Sequence, residues 1–163
     1  DEFYGTGSTI AQPHAVFLPP STDSLALFEA LEFDTSGELW GLAIDEGGIA
    51  AAGVEQSTNT GIVYLSGDDL YSEEDWTRVD ASAVATGTGA TRFYGVCRRG
   101  DTIAAVGDYS QRSDALMILS LDGGDTWSEV SPEGGPILDE CYVTQDGSLL
   151  VLGGAGFAAR YRP

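Results

Sequence analysis

The sequence has very few basic residues. It contains seven, all of them arginine, against 26 acidic residues, and its formal net charge is −19. Binding to a phosphate backbone needs a track of basic side chains, so we expect no nucleic-acid partner. The acidic residues are spread along the chain and form no single block, which is typical of a solvated surface.

Histidine, cysteine and long apolar runs are scarce as well. With one histidine and two cysteines, and no CxxC pair, the chain offers no zinc-ligand set, and we expect neither a metal nor a cofactor. Cys97 and Cys141 could form one disulfide in an oxidising compartment or remain two buried thiols, and the sequence leaves both open. No run approaches the roughly 18 apolar residues of a spanning helix, so we expect no membrane insertion.

Glycine, in contrast, is abundant. The chain has 22 glycines in 163 residues, most of them between short apolar runs, as in all-β proteins with many tight turns. Leu39–Gly53, Phe93–Gly107 and Cys141–Gly154 share an aromatic-led strand, a polar turn and an apolar strand that ends in glycine. A second kind of segment alternates with them and starts at His14, Gly61 and Ala115.

This alternation predicts four-stranded antiparallel blades that repeat about every fifty residues. One blade has predicted strands 39–45, 48–54, 61–66 and 75–80, and the next has 93–98, 102–107, 115–120 and 126–130. Partial blades are predicted from 3–5, 15–18 and 27–33 and from 140–144, 148–153 and 157–161. The predicted units are therefore a partial blade at 1–34, blades at 35–80 and 81–131, and a partial blade at 132–163.

A single blade cannot bury both faces, so blades must stack around an axis. The predicted fold class is therefore all-β, a β-propeller of which the chain supplies about three to three and a half blades. Because propeller rings have roughly four to eight blades, we expect a further protein chain, or further copies of this one, to complete the ring.

One predicted hairpin carries a specific turn motif. Residues 120–127 read SLDGGDTW and fit S-x-D-x-G-x-T-W at every specified position. In such a turn the aspartate accepts backbone N–H groups, glycines take up positive φ, and the tryptophan covers the hairpin. A stretched copy runs from Ser66 to Trp76.

The motif and the repeat around it resemble the Asp-box (BNR-repeat) β-propellers. The sequence of the blades is most similar to that of photosystem II assembly factor-like repeat proteins. That group also includes sialidases, sortilin-type receptors and xyloglucan-degrading glycosidases. The resemblance covers roughly residues 15–161. It implies that Ser120, Asp122, Gly124 and Trp127 form a structural turn far from any active site. It also implies an extracellular or periplasmic location, since such propellers are often exported.

The sequence provides no catalytic set that we can assign. A sialidase-like site needs an arginine cluster, a tyrosine–glutamate pair and an acid, but only Arg92 and Arg112 lie near the relevant loops. Carboxylate pairs are expected by chance among 26 acids. We therefore expect no catalytic residues in this chain. The alternative is part of a sialidase- or glycosidase-like enzyme whose catalytic residues lie on blades missing from it.

The remaining prediction is a binding surface at the end of the ring formed by the loops between blades and between second and third strands. Trp40, Tyr94 and Tyr142 are predicted to occupy equivalent positions there, either as an aromatic mouth or packed between blades. The adjoining loops contribute Glu55, Gln56, Tyr109, Gln111 and Arg112. We predict a noncatalytic binding or assembly module, with protein–protein recognition first and carbohydrate recognition second.

Overall fold

The computed structural model describes residues 3–8, 13–18, 29–33, 36–67, 73–111 and 114–163. Within these ranges the regular structure consists of β-strands and short 3₁₀ turns. The strands form four antiparallel sheets, each from consecutive strands of the chain. The predicted all-β class is thereby confirmed.

The strands follow the chain from sheet 1 to sheet 4. Sheet 1 contains β1 (Phe3–Ser8), β2 (Pro13–Leu18) and β3 (Glu29–Glu32). Sheet 2 contains β4 (Gly37–Asp45), β5 (Gly48–Glu55), β6 (Thr60–Ser66) and β7 (Trp76–Asp80). Sheet 3 contains β8 (Thr91–Arg99), β9 (Thr102–Tyr109), β10 (Asp114–Ser120) and β11 (Ser128–Glu129). Sheet 4 contains β12 (Leu138–Val143), β13 (Leu149–Gly153) and β14 (Phe157–Tyr161). The strand boundaries lie within a residue or two of the predicted ones, except that β1 extends to Ser8 and β2 begins at Pro13. Residues 27 and 28 of the predicted strand 27–33 lie outside the described ranges.

Sheets 2, 3 and 4 pack face to face in chain order. One face of sheet 3 carries large side chains such as Phe93 and Ile103, which pack on the small Ala50 and Ala52 of sheet 2. The opposite face of sheet 3 packs against sheet 4. The far face of sheet 2 packs with Phe33, which follows sheet 1. The middle strands of sheets 2 and 3, which are β5, β6, β9 and β10, therefore bury residues on both faces, and this explains their nearly continuous apolar sequences.

A bulge in the first strand of a sheet recurs in sheets 2, 3 and 4. The extra residue is Trp40 in β4, Tyr94 in β8 and Asp139 in β12. Opposite each bulge, the second strand has a glycine: Gly53, Gly107 and Gly153. A Cβ atom on Gly107 would lie 1.8 Å from the Arg92 carbonyl oxygen, and the other two glycines are as crowded by a carbonyl. The bulge therefore requires glycine across from it.

The first strands of successive sheets lie backbone against backbone. A Cβ atom on Gly41 would lie 2.8 Å from the Val96 nitrogen, and one on Gly95 would lie 2.7 Å from the Asp139 carbonyl oxygen. A disulfide joins Cys97 of β8 to Cys141 of β12, with 5.5 Å between their Cα atoms. Of the two states that the sequence left open for the cysteines, the structure has the bridged one.

Candidate functional site

The strands of the stack end at two opposite surfaces. We call turn end the surface formed by the β4–β5, β8–β9, β10–β11 and β12–β13 turns. The Gly123 amide donates to the Asp101 carbonyl oxygen at 2.9 Å, so two of these turns are joined directly. We call loop end the surface formed by the β5–β6 and β9–β10 connections and by the segment between β7 and β8.

At the turn end, the β10–β11 turn is closed by the side chains of its own motif. Ser120 Oγ donates to Asp122 Oδ1 at 2.8 Å and accepts from the Gly124 amide at 2.9 Å. The Thr126 amide donates to Asp122 Oδ1 at 2.9 Å, and the Thr126 hydroxyl donates to Oδ2 at 2.5 Å. The Trp127 Nε1–H donates to the Gly124 carbonyl at 2.9 Å. These bonds, those from Thr126 above all, lower the pKa of Asp122 to about 2.

The other turns of this end also use their charges internally. Arg98 Nε lies 3.1 Å from Asp45 Oδ1, so the two residues form an ion pair. Nε is not aligned for a hydrogen bond in this pair. Asp146 accepts from the Thr144 hydroxyl and pairs with Arg160. Hydrogen bonds, those from Thr144 first, hold the pKa of Asp146 well below its usual range. Apart from Arg98 Nε, these polar groups of the turn end are thus engaged within the protein.

The predicted equivalence of Tyr142 with Trp40 and Tyr94 is wrong. In the strand register the position equivalent to Trp40 and Tyr94 is Asp139, and Tyr142 pairs with Leu150 farther along β12. Tyr142 is 58% exposed and lines a cleft at the turn end with Ile44 and other residues. The prediction aligned the aromatic residues by their positions in the three similar sequence segments. The strand register is set instead by the glycine that faces each bulge.

The loop end exposes a stacked aromatic pair. The rings of Trp40 and Tyr94 have centroids 5.4 Å apart and planes inclined by 20°. Trp40 is 41% exposed, and Tyr94 is half-buried. Each residue is the extra residue of its bulge, and bulges re-aim side chains out of the regular alternation. The two rings therefore pack against each other and remain partly open.

A polar cleft of about 230 Å³ adjoins the Trp40 ring. It is lined by Glu38, Gln56, Asn59 and Arg92, with Val54 as its apolar side. Gln56 Nε2 donates to a Glu38 carboxylate oxygen at 3.2 Å. An aromatic surface is thus bordered by groups that can donate, accept and carry either charge.

A second cleft, of about 380 Å³, lies on the other side of the aromatic pair, between the first strands of sheets 2, 3 and 4. The lining includes Trp40 and Tyr94, the glycines Gly41 and Gly95, and Glu140. We call it the strand cleft. The absence of side chains at the two glycines, required by the close strand approach, also opens this space.

Behind the aromatic pair lies one buried carboxylate. Asp108 is 3% exposed and pairs across the ladder with Arg92. Burial raises the pKa of Asp108, while the Arg92 charge and a hydrogen bond from Tyr94 act in the opposite direction. Its Oδ1 has no hydrogen-bond partner among the described residues.

Two further predicted binding residues are engaged within the protein. Glu55 forms an ion pair with Arg78 and accepts from Ser57 at 2.7 Å, and the bond from Arg78 is the main cause of its lowered pKa. Tyr109 is buried, donates to Glu129 at 2.9 Å and accepts from the Gly87 amide at 3.0 Å. Both therefore hold the loop end together. Arg112 lies outside the described residues.

Sequence reasoning did not identify the clefts themselves. Arg92 was placed near the loops of this end, but Glu38 and Glu140 were visible only as scattered charges, and Asp108 as one acid among many. The signal that could have placed them is the glycine opposite each bulge, which fixes the register and with it the neighbours of Trp40 and Tyr94.

Within the ranges that the structure describes, no group of three or more His, Cys, Asp or Glu side chains is arranged to hold a metal ion. In the same ranges no helix is long and apolar enough to cross a membrane. The sequence matches no protein-family model and no curated protein.

Proposed function

We propose that this chain is a noncatalytic binding or assembly module that recognises its partner through the loop end. The observation that carries the proposal is the Trp40–Tyr94 stack, which is exposed between two clefts. Large aromatic side chains bordered by polar groups are typical of the anchors of recognition surfaces. At the turn end, in contrast, the motif residues are bonded to one another.

We also propose that the four sheets are consecutive blades of an Asp-box β-propeller. Three observations support this arrangement: chain-order stacking, close approach of the first strands, and the hydrogen-bonded turn from Ser120 to Trp127. Blades in such a ring place their first strands near the axis. Another protein chain, or further copies of this chain, would complete the ring.

A protein partner is the first candidate. The border of the aromatic pair combines an acid, two amides and an arginine, at Glu38, Gln56, Asn59 and Arg92. Such mixed polarity around an aromatic centre is usual for protein interfaces. A glycan is the second candidate, because the exposed part of Trp40 could stack on a sugar ring.

We propose an extracellular or periplasmic location for the protein. The Cys97–Cys141 disulfide supports it, since structural disulfides persist mainly in oxidising compartments. The rival function, part of a sialidase- or glycosidase-like enzyme with its active residues on other blades, would give sugar-hydrolysing activity in the completed assembly.

The proposal is tested by selecting ligands on immobilised protein, from an extract of the natural source and on a glycan array. Three forms are compared: wild type, Trp40→Ala, and Leu121→Ala as a matched control. Leu121 is also apolar and is 54% exposed, but it lies at the turn end. We expect a ligand bound by wild type and Leu121→Ala and weakened at least about tenfold by Trp40→Ala. Retention that is unchanged by Trp40→Ala and lost in Leu121→Ala would contradict the proposal.

A further inference from the structure

The strand cleft combines three chemical features. Its aromatic wall is the Trp40–Tyr94 stack. Gly41 and Gly95 bring backbone, without side chains, to its surface. Glu140, an exposed residue of β12, contributes a carboxylate. A ligand in this cleft would therefore meet an aromatic surface and a negative charge together.

Among the side chains that the structure describes, no basic residue lines the strand cleft. Arg92, two residues from Tyr94, lines the polar cleft and faces Asp108 across the ladder. Arg98, two residues from Val96, pairs with Asp45 at the turn end. The chain carries a net charge of −19, so its wider field also attracts cations. An anionic ligand would therefore be opposed by both the local and the overall charge.

We propose that the strand cleft receives a cationic side chain of the partner protein, an arginine or a lysine. This inference rests on the proposed function and names the chemistry of its ligand. A guanidinium or ammonium group gains from contact with an aromatic face and from pairing with a carboxylate. Arginine fits better than lysine, because its planar group can stack on Trp40 or Tyr94 while its N–H groups point towards Glu140.

Nuclear magnetic resonance of the indole N–H groups tests the inference, because the three tryptophans report on different places. Trp40 borders the strand cleft, Trp127 belongs to the turn end, and Trp76 is buried at 7% exposure. The uniformly ¹⁵N-labelled full chain is titrated with acetylated, amidated pentapeptides Gly-Ser-Xaa-Ser-Gly, in which Xaa is Arg, Lys, Gln or Glu.

We expect the Arg peptide to shift the Trp40 indole signal and to bind at least about threefold more tightly than the Gln peptide, with Lys between them and Glu weakest. The difference between Arg and Gln should shrink at high salt. Glu140→Gln should remove most of it. Glu46→Gln, the same change at an exposed turn-end acid, should leave it unchanged.

Equal shifts of Trp40 by the Arg and Gln peptides would overturn the cationic preference while leaving an aromatic recognition surface in place. A Trp40 signal that no peptide shifts, or an Arg effect equally lost in Glu46→Gln, would also overturn the inference. The proposed function has its own test, the ligand selection with Trp40→Ala, so its failure is recognised separately.

Discussion

The turn end and the loop end of the sheet stack differ in how their polar side chains are bonded. At the turn end, the motif bonds within itself, as Ser120 and Thr126 do with Asp122. Other turn-end contacts join neighbouring turns, as Gly123 does with Asp101 and Arg98 with Asp45. At the loop end, the bonds join distant residues: Glu55 with Arg78, and both Tyr109 and Thr86 with Glu129. Both ends expose an aromatic residue, Trp40 at the loop end and Tyr142 at the turn end, but Trp40 is stacked on Tyr94. Under the proposed function, the motif at the turn end specifies its hairpin and the loop end carries recognition.

Hydrogen bonds between residues far apart in the sequence hold the loop end in place. Burial alone would raise the pKa of Glu129, but hydrogen bonds from Thr86, Ser131 and Tyr109 lower it overall. The ionised carboxylate therefore fixes the segment between β7 and β8 against β9. A recognition surface built on such contacts keeps its aromatic groups preorganised.

The largest expected effect concerns the scaffold beneath both ends. Replacing both Cys97 and Cys141 by alanine removes a cross-link between residues separated by 44 positions. The chain-entropy account predicts a loss of about 4 kcal/mol in the free energy of unfolding. Urea denaturation of the oxidised wild type and the double variant measures it. A loss below about 1 kcal/mol would mean that sheet 4 is held on sheet 3 mainly by packing.

The next largest effect is expected from a substitution opposite the β8 bulge, which should lower the stability of the fold at the loop end. Gly107→Ala places a Cβ atom 1.8 Å from the Arg92 carbonyl oxygen, so the β8 bulge that presents Tyr94 must shift. We expect a loss of about 3 kcal/mol, with a changed near-ultraviolet circular dichroism of the aromatic pair. Gly154→Ala is the matched control, because the nearest atom to its added Cβ is 3.9 Å away. Equal stability of the two variants would refute the role of the glycine.

The third effect is confined to the turn end. Ser120→Ala removes the acceptor for the Gly124 amide and the donor to Asp122, at a side chain that is 1% exposed. We expect a loss of about 1–3 kcal/mol in denaturation experiments. The exposed Ser128 provides the control, since Ser128→Ala should have almost no effect. A change at Ser120 too small to measure would show that the motif does not stabilise its hairpin.

The smallest effect is a pH dependence at Asp108. Its pKa is raised by burial above the usual 3.8, so the folded state loses stability as the pH rises from about 3.8 through the raised pKa. Asp108→Asn should therefore be slightly more stable than wild type at neutral pH, by less than about 1 kcal/mol. Melting temperatures from pH 3 to pH 8 check this. A variant that is less stable at neutral pH would show that the Arg92 pairing outweighs burial.

The strands and turns could be predicted from the sequence because their causes are local. Alternating apolar runs, glycine-containing turns and the motif at Ser120–Trp127 act within a few residues, and the predicted strands are close to those observed. The candidate site could be predicted only in part. Trp40 and Tyr94 were found, but Tyr142 was misplaced because the bulge register depends on contacts between strands. The internal pairing of Glu55 and Tyr109 depends on Arg78 and Glu129, residues from other strands.

The division between the two ends is tested most directly by titrating the ligand selected by wild type into wild type, Trp40→Ala and Ser120→Ala, with all three folded. We expect the dissociation constant to rise at least about tenfold in Trp40→Ala and to remain unchanged in Ser120→Ala, although the latter is the less stable variant. Unchanged affinity in Trp40→Ala together with lost affinity in Ser120→Ala would place recognition at the turn end and contradict this account.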